Sequence, residues 1–336
     1  MKETSHTGEP GAIAVIILNW NGIEDTLECL ESVSGIEFEN FFVLVVDNGS
    51  TDDSCARIKE EYPEVILIEN DVNLGFAGGN NVGIRYALAN GAEYIFLLNN
   101  DTVVDPRILT RLLSASHICG DNGIFGPKIY HHAEPDLVWY GGTRWDASSL
   151  TFDHNAFGDM ENICSTAYVC GCALFIPASV VVRLGWMDIR YFLIFEDVEW
   201  CYRARLLGIE SYFVPAATVW HKVSSSFGGA LSPMAVYYHA RNFLLWGERH
   251  LDCRTYVRAV KLVVNWATGF TRDQSAYCSR WDHGVHILSR LIRHHKGNEC
   301  DQELHACYQG LRDYLLRRFG SNLRFSGEAS VRWTGR

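Results

Sequence analysis

The 336-residue chain has no uninterrupted apolar run of the ~18 residues that a membrane-crossing helix needs, so no such helix is expected. It has no excess of positive charge. Its net charge of −11 argues against a non-specific nucleic-acid binder, because an acidic body repels phosphate. It has no repeating CxxC pattern: the cysteines number 11, an odd count in a long chain, which excludes a small disulfide scaffold and points to a reducing cytosol. Cys170 and Cys172 flank Gly171, but two sulfurs alone do not complete a zinc shell. Internal repeats and low-complexity linkers are missing. With 48% hydrophobic and 21% charged residues, disorder, collagen and a coiled-coil rod are excluded as well. Residues 1–11 are polar, and Met1 to Pro10 contain no apolar h-region, so no signal peptide is expected there.

Charge is unevenly spread. Residues 1–250 carry −17 and residues 251–336 carry +6. An acidic body suits metal binding. The basic tail has two readings, a solvated helical appendage or a segment that meets an anionic surface such as a membrane leaflet.

The first 130 residues alternate apolar runs with amphipathic segments. Ile13–Leu18, Phe42–Val46, Val65–Glu69 and Tyr94–Leu98 are short, rich in β-branched or aromatic residues, and read as strands buried on both faces of a parallel sheet. Glu24–Ser34, Asp53–Glu61 and Ala77–Ala89 have helical periodicity, and Ser50, Thr51 and Asp52 offer N-cap oxygens for the second. This order predicts an α/β fold with right-handed crossovers. Residues 120–175 read as mixed strands and long loops, Val198–Leu207 as a helix, and Ser211–Val214 as a strand. Helices are expected at Ala235–Glu248, Tyr256–Trp266, Gly284–His294 and Glu303–Phe319. The pattern predicts one α/β domain over 12–250 and a basic helical extension over 251–336.

Short polar groups cluster where the predicted strands end. Asn19 and Asn21 follow the first, and Asp47, Asn48, Ser50, Thr51 and Asp52 the second. Asn73, Gly75, Gly78, Gly79, Asn80 and Asn81 follow the third, and Asn99, Asn100 and Asp101 the fourth. Each cluster alone is ordinary turn chemistry. Four in succession mark the ligand crevice of an open α/β sheet, which lies at the carboxyl ends of its strands. Asp101, a carboxylate delivered to a strand end beside asparagines, is a hard-oxygen site for Mg²⁺ or Mn²⁺ and the diphosphate of a nucleotide. Glu196 and Asp197 follow an apolar run and open a predicted helix, where they serve either as dipole-matched caps or as a general base. His221 closes Val-Pro-Ala-Ala-Thr-Val-Trp-His and is either a structural histidine or a second metal ligand. Ser224–Gly228 read as a polar loop able to act as a lid.

Taken together, Ile-Ile-Leu-Asn-Trp-Asn-Gly (16–22), Val-Asp-Asn-Gly-Ser-Thr-Asp (46–52), Asn-Leu-Gly-Phe-Ala-Gly-Gly-Asn-Asn (73–81), Leu-Asn-Asn-Asp (98–101), Phe-Glu-Asp-Val-Glu (195–199) and His221 resemble the family 2 inverting glycosyltransferases. The likeness is to the rhamnosyltransferase-like and galactofuranosyltransferase-like branch, and it extends over about residues 12–250. It implies a GT-A fold, a mostly parallel central sheet flanked by helices, and a nucleotide-diphospho-sugar donor. It also implies that Asp47 bonds a pyrimidine base, and that Asn19, Asn21, Asn48, Ser50, Asn73, Gly75, Gly79, Asn80, Asn99 and Asn100 line the donor pocket. Asp101 and His221 would hold Mg²⁺ or Mn²⁺. Asp197 would be the catalytic base, Glu196 and Glu199 would position the acceptor, and Gly171, Cys172 and Trp186 would border it. Trp186, Met187 and Asp188 match a Gly-Gly-Phe-Asp-like segment of the family. The family's metal motif usually begins with Asp, whereas Asn99 and Asn100 precede Asp101 here. Whether Asn99 meets the metal or the sugar stays open.

The implied reaction moves a sugar from a dTDP- or UDP-linked donor to a hydroxyl of a glycan or lipid-linked acceptor, in the cytoplasm or on the inner face of the cell membrane. Two rivals remain. A sugar-nucleotide nucleotidyltransferase would begin with a basic Gly-rich loop, yet Ile16–Gly22 has no Lys or Arg. A non-catalytic glycan-binding protein would have no need of the Glu196–Asp197 pair. Arg312, Arg317, Arg318 and Arg324 interleave with Leu311, Leu315, Leu316 and Phe319. Peripheral membrane contact through 300–336, packing on the body and homo-oligomerisation all remain open for this tail.

Overall fold

The computed structural model describes residues 12–158, 160–222, 232–267 and 302–322. The described residues of 1–189 and 196–223 form one compact unit, and those of 190–195 and 224–336 form a second.

The first unit is built on a ten-stranded sheet. The opening strands are β1 (Ile13–Asn19), β2 (Phe41–Asp47), β3 (Ile66–Glu69) and β4 (Tyr94–Asn99), joined by α1 (Ile23–Ser34), α2 (Ser54–Glu61) and α3 (Gly75–Ala89). They pair in parallel in the order β3–β2–β1–β4, with Asn19 opposite Asp47. The expected α/β alternation of parallel strands and helices is therefore present. Every residue of β1 from Ile13 to Ile17 is inaccessible to solvent, as a strand covered on both faces requires.

Beyond β4 come β5 (Thr102–Val104), α4 (Ile108–Ile118), β6 (Gly123–His131), β7 (Val138–Tyr140), β8 (Arg144–Asp146), β9 (Thr151–Asp153) and β10 (Cys164–Ser165). β11 (Ala173–Pro177), α5 (Ala178–Leu184), α6 (Glu196–Leu206) and β12 (Glu210–His221) complete the unit. β11 runs antiparallel to β4 and β6, while β12 runs parallel to β6. β12 is far longer than the expected Ser211–Val214. It passes Pro215 by a register shift between Val214 and Thr218, where a residue without an N–H is tolerated.

Helix α3 lies unusually close to the sheet because its glycines face it. A β carbon at Gly79 would stand 2.4 Å from Leu18 Cδ1, and one at Gly83 would stand 2.5 Å from Ile16 Cγ2. The expected cap of α2 by Ser50, Thr51 or Asp52 does not form. Asp53 occupies the cap position without a side-chain bond, and Asp52 instead accepts from Ser54 N in a local turn.

The second unit contains α7 (Pro233–His250), α8 (Cys253–Ala267) and α9 (Gln302–Leu315). Ser232 caps α7 by accepting from Ala235 N at 3.2 Å, with Pro233 in the first turn. Helices α7 and α9 cross closely at Gly310, where a β carbon would meet Tyr237 O at 2.6 Å. The sequence pattern places α7 with the α/β domain up to 250, but its contacts place it with the later helices. Its Tyr237 hydroxyl donates to Asp313 of α9, and its Glu248 pairs with Arg317. The buried face of α9 (Ala306, Cys307, Gln309, Gly310, Asp313, Tyr314) packs within this unit, while Tyr308, Leu315 and Leu316 are exposed. No helix among the described residues is long and apolar enough to cross a membrane. The expected helix Gly284–His294, the loop Ser224–Gly228 and Arg324 lie outside the described residues.

Candidate active site

The carboxyl ends of β1, β2 and β4 carry a buried polar network. Asn19 donates from Nδ2 to Asp47 Oδ2 at 2.7 Å and to Ser50 Oγ at 3.2 Å, while its Oδ1 accepts from Thr26 Oγ1 at 2.8 Å. Asp47 also accepts from Ser50 N at 2.8 Å, so both of its oxygens are oriented. Asn21, in the left-handed region at φ 49°, donates from its N to Ser50 Oγ and accepts from Thr51 N at 2.7 Å. Ser50 and Thr51, expected as helix caps, thus tie the β1 and β2 loops together.

Several predicted donor residues are already engaged by the protein. Asn48 donates to Asn73 Oδ1 and Gly75 O and accepts from Asn70 and Leu74 N, which fastens the 70–75 loop to the end of β2. Gly75 adopts φ 74°, and its N donates to Asn73 Oδ1. Asn80 bonds Phe76 O within α3. Asn100 points at α1, donating to Thr26 Oγ1 at 3.0 Å and Gly22 O at 3.3 Å. Gly79 serves helix–sheet packing. Asn99 anchors the crevice through its main chain: its N donates to Cys172 O at 2.8 Å, and its O accepts from Thr102 Oγ1 at 2.6 Å.

Asp101 and His221 meet. Nε2 of the imidazole lies 3.1 Å from Asp101 Oδ1, and both side chains are buried. Their main chains are pinned as well. Lys222 N donates to Asp101 O, and His221 pairs with Thr102 across β5 and β12. Trp139 packs edge-on against the imidazole at 4.9 Å. His221 Nδ1 is buried with no hydrogen-bond partner among the described residues. Next in the chain, Lys222 is held by Asp25 at 2.5 Å and Glu28 at 2.6 Å. A carboxylate oxygen beside an imidazole nitrogen is a donor set suited to Mn²⁺ or Mg²⁺, with the remaining positions open to phosphate oxygens and water. Among the described residues no three His, Cys, Asp or Glu side chains cluster as ligands, so the protein would supply this pair.

Asp197 sits in the first turn of α6. Its Oδ2 accepts from Gly171 N at 2.8 Å and its Oδ1 from Val198 N at 2.7 Å. Gly171 leaves little room for a side chain, since a β carbon there would stand 3.2 Å from Phe76 and 3.4 Å from Asp197 Cβ. Burial raises the Asp197 carboxyl above its ordinary range, and the two N–H donors oppose that shift. Glu196 is raised well above its ordinary range, by burial first and the Asp197 charge second, and its Oε2 is buried without a partner among the described residues. Burial thus raises both carboxyls of the pair, and Glu196 the more strongly.

Two expectations for the acceptor side change. Glu199 is buried and clasped by Arg203 Nη2 at 3.1 Å. That guanidinium also holds Leu184 O and Trp186 O, so Glu199 fixes the 184–187 loop to α6 rather than facing an acceptor. The Cys172 thiol is buried in the apolar core, which pushes its pKa well up, and only its carbonyl takes part in the site. Trp186 is 41% exposed, with the Arg85 guanidinium 5.1 Å from its ring centre. Asn81, expected with the rest of the 73–81 loop to line the nucleotide pocket, instead forms two amide bonds with Met187, to O at 2.9 Å and from N at 3.0 Å. A lone Asn in a polar motif carries no signal of such a partner 106 residues away.

The contacts form one continuous path: Asp197 to Gly171, Cys172 to Asn99, Asp101 to His221. Asp197 and the Asp101–His221 pair are thereby linked through the 170–172 segment and the end of β4.

The Glycosyl transferase family 2 model matches residues 14–178, the span holding the first four strand-end motifs. The chain belongs to glycosyltransferase family 2. It is 28% identical to a low-salt glycan biosynthesis hexosyltransferase of Haloferax volcanii, over 57% of this chain and 61% of that one. The match thus spans less than two thirds of that relative's length. It is also 28% identical to the N-acetylglucosaminyl-diphospho-decaprenol L-rhamnosyltransferase of Mycobacterium tuberculosis, over 62% of this chain and 75% of that one. A mannosyltransferase structure from Pyrobaculum calidifontis, in complex with GDP-Man and Mn²⁺, matches 91% of this chain and 87% of its own. The TM-score is 0.55 at 13% identity, a likeness of fold alone, and that fold is GT-A.

Proposed function

We propose that this glycosyltransferase inverts the anomeric centre of a dTDP- or UDP-linked hexose, with Asp197 as general base and a divalent ion at Asp101 and His221. The observation that carries the reading is the path of contacts from the Asp197 carboxylate to that pair. The acceptor oxygen forms a bond to the anomeric carbon as the bond from that carbon to the diphosphate breaks, and the hydroxyl proton passes to Asp197. Gly171 N–H aims the carboxylate, and partial desolvation raises its basicity. Burial favours the protonated form of Glu196, which carries no second negative charge beside the base. Asp101 and His221 would hold the ion, which when bound supplies charge neutralisation to the departing diphosphate. Asp47, fixed by Asn19 and Ser50, retains acceptor capacity for a pyrimidine N–H.

The names of the relatives favour a rhamnosyl or related hexosyl donor and a lipid-linked diphosphate acceptor. A cytoplasmic enzyme meeting its acceptor at the membrane face fits that chemistry. The test is a panel of dTDP-, UDP- and GDP-sugars with and without Mn²⁺, read first by thermal shift and then by transfer. A pyrimidine donor should stabilise the protein only with the ion and yield product of inverted anomeric configuration. Product of retained configuration refutes the base role of Asp197.

A further inference from the structure

The segment Arg190–Phe195, which leads into Glu196 and Asp197, takes an unusual course. Phe192, Ile194 and Phe195 lie in the left-handed region at φ 63°, 67° and 79°. Side chains with a β carbon rarely adopt it, and none of the three is glycine or asparagine. Such strain persists only where the surroundings over-determine it. Two neighbouring side chains of α7, both fully buried, do so. Asn242 Nδ2 lies within bonding distance of three carbonyls, Tyr191 O at 2.9 Å, Leu193 O at 2.8 Å and Ile194 O at 2.6 Å. Arg241 Nη2 donates to Arg190 O at 3.0 Å and Tyr191 O at 2.7 Å, its Nη1 donates to Gly320 O, and its Nε orients the Asn242 amide at 2.8 Å.

The ring stacking agrees. Phe192 stacks on Tyr238 at 5.5 Å, and Phe195 packs on Phe243 at 5.8 Å and Trp246 at 5.9 Å. Arg241 is itself sandwiched, its guanidinium 4.8 Å from the Tyr238 ring centre and 5.4 Å from that of Tyr237. Ordinary core packing needs neither a buried guanidinium nor a buried amide. Carbonyls on a strained segment do need donors.

We propose that Arg241 and Asn242 are positioning residues for the reaction: they hold 190–195 in its left-handed course and thereby set the direction in which the chain enters the turn bearing Asp197. This rests on the reading of Asp197 as base. Aspartate at 242 cannot substitute, since a carboxylate would face carbonyl oxygens.

The experiment compares Asn242→Ala, the milder Asn242→Ser, and Asn242→Ala combined with Ile194→Gly, with Asp197→Asn as the reference. Donor binding by calorimetry gives the folded, binding-competent fraction of each. Misplacement of a reacting group costs up to about a hundredfold in rate, so Asn242→Ala should lower kcat per binding-competent molecule by about tenfold or more. Donor affinity should stay within about twofold, and the acid limb of the pH–rate profile should shift. Ile194→Gly should return part of that kcat, because glycine takes positive φ without support. Wild-type kcat per competent molecule in Asn242→Ala and Asn242→Ser, with Asp197→Asn inactive, overturns the positioning role alone. Lost kcat that Ile194→Gly leaves unchanged, with the acid limb unmoved, overturns it too. An active Asp197→Asn instead removes the base reading beneath it.

Discussion

Replacing Asp197 by Asn exchanges one carboxylate oxygen for an NH₂ group and removes the only charge the pair carries when Glu196 is protonated. Two N–H donors face the wild-type oxygens, Gly171 N at 2.8 Å and Val198 N at 2.7 Å. An amide can answer one of them, and its NH₂ must then oppose the other. Losing one charge-assisted bond destabilises by about 1.5–3 kcal/mol, which lowers the melting temperature by several degrees. Loss of the base removes about 10²–10⁴-fold in rate, or about 3–5 kcal/mol of barrier. These effects separate in an assay that measures nucleoside diphosphate release at saturating donor and acceptor, scaled by calorimetric donor stoichiometry. The expected result is kcat down at least about a hundredfold with donor affinity nearly unchanged. A scaled kcat within about threefold of wild type refutes the assignment. The wild-type profile provides a companion check. Asp197 must be ionised to act, and burial raises its pKa, so activity should fall on acidification through a limb above the usual aspartate value. A limb at or below about 4 contradicts this.

Glu196→Gln tests the proton on the neighbouring acid. Burial raises its folded-state pKa above the unfolded value, so its contribution to stability is present at low pH and is lost as pH rises towards the folded pKa, by up to about 1.4 kcal/mol per pH unit. The Gln variant should therefore gain stability over wild type in urea as pH rises from 5 to 8, and a constant difference would contradict the shift. Gly83→Ala should destabilise by about 1–3 kcal/mol, because its β carbon would meet Ile16 Cγ2 at 2.5 Å. An unchanged urea midpoint would show that α3 moves freely on the sheet. Asp101→Ala should abolish the Mn²⁺-dependent part of donor affinity while leaving any metal-independent part, as read by calorimetry with and without chelator.

Much of the fold was legible because its strands are buried on both faces. Ile13–Ile17 and Tyr94–Leu98 have no polar alternation to confuse them, and right-handed crossovers then leave few topologies. The crevice was legible because parallel strands deliver their ends to one side. The division of labour inside it was not. Asn48, Asn100 and Glu199 look like ligand groups in one dimension, and only packing shows them bonded to loop carbonyls, Thr26 and Arg203. Backbone donors such as Gly171 N–H leave no side-chain signature. Helix α7 groups by its contacts with the later helices, which its periodicity could not say, since that shows which face is apolar and not what covers it. Arg241 and Asn242 were invisible for the same reason: a buried Arg–Asn pair inside an amphipathic helix reads as solvated surface until its carbonyl partners are seen.

The account depends most on Asp101 and His221 acting jointly on the donor diphosphate. Crystals of the protein soaked with Mn²⁺ and the pyrimidine diphosphate, with data collected at the manganese absorption edge, test this directly. The account predicts one anomalous peak within bonding distance of both Asp101 Oδ1 and His221 Nε2 and of the diphosphate, with the Asp197 carboxylate facing the vacant sugar position. A diphosphate bound with its ion elsewhere on the sheet, and Asp101 still against His221, would contradict it.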